Sequence, residues 1–270
     1  MKIAVFYENI YDGVQATGAD MEKTLAGFRA EGMKLLYLSP DSWKRDRETL
    51  APMLRKLDIG IEGMHGWCDF SADPDSSRYR EMIDLAVEAG AGNLLIIPGM
   101  LQTDDTSYAI DAMVQGMRKV VHYGREKGIP VLMEDFDGLL SPYNSIFGLQ
   151  YFMNAVDGLG CAFDTGNFVI FHENELKAFD LFADKIQTVH LKDRSMDPVH
   201  PNGYPNICAD QKPAWACAIG SGYIHIREIL HRLTARNYTG NIIVELYGDD
   251  PAFALEDVHG SLRWLHQQGY

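Results

Sequence analysis

Residues 130–135 read PVLMED: a proline, three apolar residues of strand length, then two carboxylates. A carboxylate closing an apolar run costs free energy unless something pairs with it. Three later runs repeat the pattern. CAFDTGN (161–167) delivers Asp164, TVHLKD (188–193) delivers His190 and IIVELYG (242–248) delivers Glu245, alongside Glu134 from the first run. One such residue is ordinary. Four on successive strands imply one site, because a closed parallel barrel brings the C-terminal ends of its strands to one mouth. Three carboxylates and one imidazole suit a single divalent cation, with Mn²⁺, Co²⁺, Mg²⁺ and Zn²⁺ all compatible.

Working outward, strand candidates recur at 2–8, 34–39, 59–65, 93–99, 130–135, 160–166, 186–192 and 241–248. Amphipathic stretches separate them, with apolar residues three and four apart. Several end in glycine, as helix C-caps do. Strand then helix, eight times, predicts a (β/α)₈ TIM barrel, an α/β fold, as one domain over residues 1–270. The competing open doubly wound sheet would carry a glycine-rich nucleotide loop after its first strand, and FYENIYDG (6–13) is not one. One connection is anomalous: residues 194–222, after the seventh strand, are rich in Pro, Gly and Asn without helical period. A connection of that length is commonly functional. It reads as a substrate lid anchored by Tyr204, Ile207 and Trp215, or as a surface insertion or dimer contact. His200, Cys208 and Asp210 within it are candidates for a second metal site, though their spacing matches no common pattern.

The net charge of −14 repels phosphate backbones and argues against generic nucleic-acid binding. No apolar run approaches the roughly 18 residues of a membrane span. The opening MKIAVFYE reads as a strand, not a secretory leader. Cys68, Cys161, Cys208 and Cys217 form no CxxC pair, which fits a reducing, cytoplasmic setting.

Each ligand candidate also has a plainer reading: Glu134 as a helix cap or lysine partner, Asp164 as a turn residue, His190 as a core histidine. Glu245, among Val244, Leu246 and Tyr247, is the hardest to explain without a partner. Further along the predicted mouth, His65 and Trp67 in EGMHGWCDF (62–70) read as a hydrogen-bonding partner and an apolar wall for a substrate, or as ordinary loop residues. Lys192 reads as a substrate contact or as a local pair with Asp193. Gly220-Ser221-Gly222 reads as a phosphate loop or a helix N-cap. Tyr7 and Glu8, ending the first strand, are candidates for the floor or rim.

The segments LMED, FDTGN, VHLKD and VELYG resemble the metal-binding strand ends of the xylose isomerase-like barrel superfamily, across essentially the whole chain. That group includes sugar phosphate isomerases and epimerases, ketose 3-epimerases, inosose dehydratases and endonuclease IV. The resemblance implies that Glu134, Asp164, His190 and Glu245 hold one divalent ion, with Glu134 and Glu245 also acting as acid and base on opposite faces of the substrate. Many relatives carry histidine three residues after the aspartate, where this chain has Asn167. Asparagine can bond a hydroxyl but neither binds metal nor carries a proton as histidine does, which weakens both an epimerase-like grip and a trinuclear nuclease site.

The expected activity is therefore a metal-dependent sugar isomerase or epimerase acting on a ketose or related polyol through an enediolate. An inosose dehydratase-like lyase is the alternative, and an endonuclease IV-like phosphodiesterase stands further off. The expected partner is a small sugar or polyol, bound by His65, Trp67, Asn167, Lys192 and Trp215, with no nucleic acid and no membrane; a homo-oligomer stays open.

Overall fold

The computed structural model describes residues 1–102, 106–248 and 250–270. The apolar runs become β1 (Ile3–Phe6), β2 (Met33–Leu38), β3 (Gly60–Trp67), β4 (Leu94–Ile97), β5 (Val131–Met133), β6 (Gly160–Asp164), β7 (Ile186–Leu191) and β11 (Ile242–Val244). They close into one barrel in the order β1-β11-β7-β6-β5-β4-β3-β2, each neighbour parallel to the next. This is the expected (β/α)₈ barrel.

Several boundaries differ from the sequence expectation. β1 ends at Phe6, and Tyr7–Thr17 is helix α1, so Tyr7 and Glu8 occupy a first helical turn rather than a strand end. β3 runs on to Trp67, placing His65 and Trp67 inside the ladder, opposite Leu95 and Ile97. β5 and β11 are only three residues long, so Glu134 and Glu245 lie one residue beyond the paired segments. Glu245 N still donates to the Leu191 carbonyl of β7 at 3.0 Å, which holds its backbone at the barrel end.

The remaining helices are α2 (Met21–Ala30), α3 (Pro40–Leu57), α4 (Arg78–Ala89), α5 (Thr106–Lys127), α6 (Ile146–Ala155), α7 (Glu175–Phe182), α8 (Ile226–Ala235) and α9 (Ala254–Gln267). Their starts are fixed locally. The side chains of Asp20, Ser39, Ser145 and Asn174 each accept from a first-turn N–H, and Pro40 opens α3. Gly18 and Gly90 close α1 and α4 in the left-handed conformation that glycine adopts without penalty. Buried Leu25, Phe28, Ile83, Met113, Met117, Phe152, Phe179, Leu230 and Leu262 belong to the core they share with the strands.

The connection after β7 is more ordered than its composition suggests. It folds into an antiparallel sheet of β8 (Asp193–Ser195), β10 (Pro213–Cys217) and β9 (Asn206–Ile207), in that order. Arg194, fully buried, pins this sheet to the barrel. Its guanidinium donates to the Gly166 carbonyl at 3.1 Å, to Asn206 Oδ1 at 2.7 Å and to Asp137 Oδ2 at 3.0 Å. Among the described residues no helix is long and apolar enough to cross a membrane.

Candidate metal centre

β6 ends on Asp164, β7 carries His190 next to its last position, and Glu134 and Glu245 follow β5 and β11 directly. Each offers a ligand atom, and these four atoms all lie within 4.8 Å of one another. All four residues are buried, between 0% and 8% exposed. His190 Nδ1 stands 3.0 Å from Glu134 Oε2 and 3.2 Å from Glu245 Oε2. These are ion-pair distances without hydrogen-bond geometry. Glu134 Oε2, Asp164 Oδ2, Glu245 Oε2 and both ring nitrogens of His190 have no hydrogen-bond partner. An unmet buried polar atom costs about 1–3 kcal/mol. Several of them converging, from three oxygen donors and one imidazole, fit a divalent cation well.

The charges say the same. Burial works against a charged His190, but Glu134 and Glu245 outweigh it and lift the imidazole to about 10. Burial pushes the Asp164 carboxyl up to about 7 against the pull of Lys192. Glu245 also feels the burial penalty, yet Lys192 and His190 hold it well below the usual carboxylate range. Lys192, itself buried, is 3.0 Å from Asp164 Oδ2, 2.7 Å from Glu245 Oε1 and 3.0 Å from Asn167 Oδ1. Its partners are thus the ligand carboxylates rather than Asp193. Asn167 in turn donates to the Asp135 carbonyl at 2.8 Å, which fixes the lysine's orientation. Asp135 is buried with neither carboxylate oxygen hydrogen-bonded, and burial followed by Asp164 and Glu134 raises its carboxyl well above the ordinary value.

Above these residues lies a cavity of about 210 Å³ lined by Phe6, Glu8, Asn9, His65, Glu134, Phe136, His190, Glu245 and Tyr247, among others. Glu8 Oε1 accepts from Ser39 N at 2.9 Å and from Ser42 Oγ at 2.7 Å, and its Oε2 faces His65 Nε2 at 3.4 Å. Burial opposes that charge, but His65 and the donors bring the Glu8 carboxyl down to about 2. Trp67 lines an adjoining cavity that shares His65, Ile97 and Phe136 with the first, and meets Phe136 edge-on with centroids 5.7 Å apart. Trp215 sits on β10, outside the lining of the mouth cavity, and Asn167 and Lys192 stand behind the ligands.

Sequence reading missed Phe6, Asn9, Phe136, Tyr247 and Tyr37. None carries a local signal. Phe6 and Tyr37 pack edge-on against the His190 ring at 5.3 and 5.0 Å. Asn9 exchanges hydrogen bonds with the Leu246 backbone at 3.0 and 3.1 Å, steadying the segment that presents Glu245.

Two expectations are corrected. His200, Cys208 and Asp210 do not form a second metal site. His200 pairs with Asp257 at 2.8 Å, while Asp210 pairs with His172 and Lys212. Gly220-Ser221-Gly222 is neither an open phosphate loop nor the N-cap of α8. Its glycine N–H groups are taken by Asp193, and Ser221 Oγ donates to the Ala218 carbonyl. A larger groove of about 640 Å³ lies elsewhere, lined by His172, Glu173, Glu175, Cys208 and His225 among others. It contains none of the four converging ligands, so chemistry rather than volume locates the site.

With this geometry in place, the family profile for xylose isomerase-like TIM barrels matches residues 15–268. The chain belongs to the xylose isomerase-like TIM barrel family. Among characterised relatives, an inosose dehydratase of Clostridium perfringens is 24% identical over 256 residues, covering 86% of this chain and 82% of the relative. One from Lacticaseibacillus casei is 26% identical over 147 residues, 53% of this chain, and in that match the chain spans about half the relative's length, 49%. Two solved structures share the fold. The probable 3-DHS dehydratase AsbF of Bacillus anthracis superposes with a TM-score of 0.77 at 14% identity, over 98% of this chain and 99% of that one. The D-allulose 3-epimerase of a Methylomonas species gives 0.72 at 14% identity, over 99% and 98%. Other structures that share the fold were solved with zinc, in the IOLI protein, or with magnesium, in a Mycobacterium smegmatis protein.

Proposed function

We propose that this family member is a divalent-metal-dependent enzyme that isomerises or epimerises a ketose or related polyol through an enediolate. One observation carries the proposal: four buried ligand-type residues converge, with one carboxylate oxygen of each acid and both His190 nitrogens lacking a hydrogen bond, at the C-terminal mouth where barrels of this kind place their chemistry. Glu134, Asp164, His190 and Glu245 would hold the ion, of which zinc and magnesium have precedent in structural neighbours. When bound, it supplies Lewis-acid polarisation of the substrate carbonyl and offsets enediolate charge.

The chain's own residues account for the remaining steps. Glu134 and Glu245 follow β5 and β11, the strands on either side of the β6–β7 pair, so one would take the proton from the carbon next to the carbonyl while the other delivers one to the second face. Lys192, held by Asn167, adds positive charge behind the Asp164 and Glu245 carboxylates. His65, steadied by Glu8, offers a hydroxyl partner from the opposite wall, and Trp67 and Phe136 form an apolar wall that limits water. The catalytic unit is residues 1–270 acting as one cytoplasmic domain.

An inosose dehydratase-like lyase is the second reading, favoured by the name of the relatives matched at 24–26% identity. It uses the same proton abstraction and then expels a β-hydroxyl. An endonuclease IV-like reaction has less support: the net charge is −14, and among the described residues the metal-type group is a single quartet. A panel of ketoses and inososes supplied with Mn²⁺, Co²⁺, Mg²⁺ or Zn²⁺ and followed by NMR in deuterated water separates the readings. Solvent deuterium entering next to the carbonyl with an epimer or isomer supports the first. Loss of water supports the second. Absence of any exchange across panel and metals would remove both.

A further inference from the structure

The loop before α8 is an anion cradle with its anion already in it. The buried Asp193 carboxylate accepts four backbone N–H bonds: Gly220 at 2.8 Å and Gly222 at 3.0 Å to Oδ2, Arg194 at 2.9 Å and Ile224 at 3.2 Å to Oδ1. The loop is shaped around that group. A Cβ on Gly222 would stand 2.2 Å from Asp193 Oδ1, and Gly220 adopts φ +87° with a Cβ position 2.3 Å from Trp264. Helix α8 begins directly afterwards at Ile226, and its N-cap His225 makes no side-chain cap bond.

Converging N–H groups on a glycine loop, ahead of a helix and after the seventh barrel strand, are the parts from which such barrels build phosphate sites. Here every one of those donors is committed to a carboxylate tethered to the same chain, three residues past His190. A phosphate could enter only by expelling it.

We infer that Asp193 is an internal anion filling a phosphate-type cradle, which binds no phosphate while that carboxylate is in place. The small β8-β10-β9 sheet gains from the same contact, because Asp193 ties β8 to the segment leading into α8.

The test titrates inorganic phosphate, against chloride at matched ionic strength, into the full chain and into Asp193→Gly and Asp193→Asn, and reads thermal unfolding. The wild-type midpoint should not respond specifically to phosphate. Asp193→Gly should unfold at lower temperature and recover by about 5 °C, saturably, as phosphate enters the vacated cradle. If that variant does not fold in chloride, phosphate should restore its circular dichroism signal. Asp193→Asn keeps a side chain in the cradle and should not respond. A saturable phosphate response in the wild type or in Asp193→Asn would overturn the inference. So would an Asp193→Gly protein that behaves identically in the two salts, including one that folds in neither.

Discussion

Glu62 and Glu245 are equally buried, at 8% exposure, but at opposite ends of the barrel and wired in opposite ways. Glu62, near the start of β3, is surrounded by neutral donors. Asn93 and Thr188 reach its Oε1 at 3.4 Å, and Asn241 binds its Oε2. Glu245, just beyond β11, faces Lys192 through Oε1 and has no hydrogen-bond partner on Oε2. Burial alone therefore does not mark a functional carboxylate. What distinguishes the two is whether the surrounding fold completes the group or leaves it demanding a ligand. This division agrees with the general behaviour of these barrels, in which the N-terminal face serves stability and the C-terminal face carries chemistry.

The largest effect should come from the C-terminal carboxylates. Glu134→Gln and Glu245→Gln are each expected to lower turnover by about 10²–10⁴-fold in the deuterium-exchange assay, and the double variant far less than the product of the two. Glu62→Gln should stay within a few-fold of wild type. A comparable collapse in Glu62→Gln would dissolve the contrast between the ends.

Next is the metal itself. His190→Ala should lose more affinity than the roughly 10–100-fold typical of outer-shell partners, measured by calorimetry with Mn²⁺ or Zn²⁺. Chelation should lower the thermal midpoint of the wild type, since a ligand bound only by the folded state stabilises it. Equal metal content in wild type, His190→Ala and Glu245→Gln would refute the quartet.

The pH dependence sharpens the same point. The Glu134 and Glu245 carboxylates push the His190 imidazole up to about 10 against its burial, so at neutral pH an entering cation is expected to displace its proton. Metal affinity should rise with pH from 6 to 9, by up to about tenfold per unit, with proton release visible in buffers of different ionisation enthalpy. For the metal-free fold the sign is the reverse. A raised folded value contributes stability that is fully present below the unfolded value of about 6.5, and that is lost as pH climbs through about 10. Pairing in His190→Ala should flatten that loss; an unchanged pH profile would show that the imidazole carries no such charge.

The smallest effect belongs to the N-terminal end. Glu62→Ala strips the acceptor from Asn241, Asn93 and Thr188 and should cost about 1–3 kcal/mol in denaturant unfolding, with metal content unchanged. Lost metal at full stability would show that the two ends are coupled rather than separate.

Much of this protein was legible in the chain itself. The apolar runs and intervening amphipathic stretches fix eight strands and a parallel barrel because period and length alone decide which backbone ladder can form. The quartet could be found for the same reason: an ionisable residue closing an apolar strand is conspicuous in one dimension, and barrel closure guarantees that four such ends meet. Other features depend on contacts between residues far apart in the chain. That Lys192 faces Asp164 and Glu245 instead of Asp193, that Glu8 starts a helix and still reaches His65, and that His200 turns to Asp257 are matters of side-chain direction, which periodicity does not encode. The 194–222 connection shows the limit most clearly. Its composition suggested an irregular flap, yet a buried guanidinium and a carboxylate gripping glycine N–H groups order it, because such charges are held by whichever distant partners the fold brings to them.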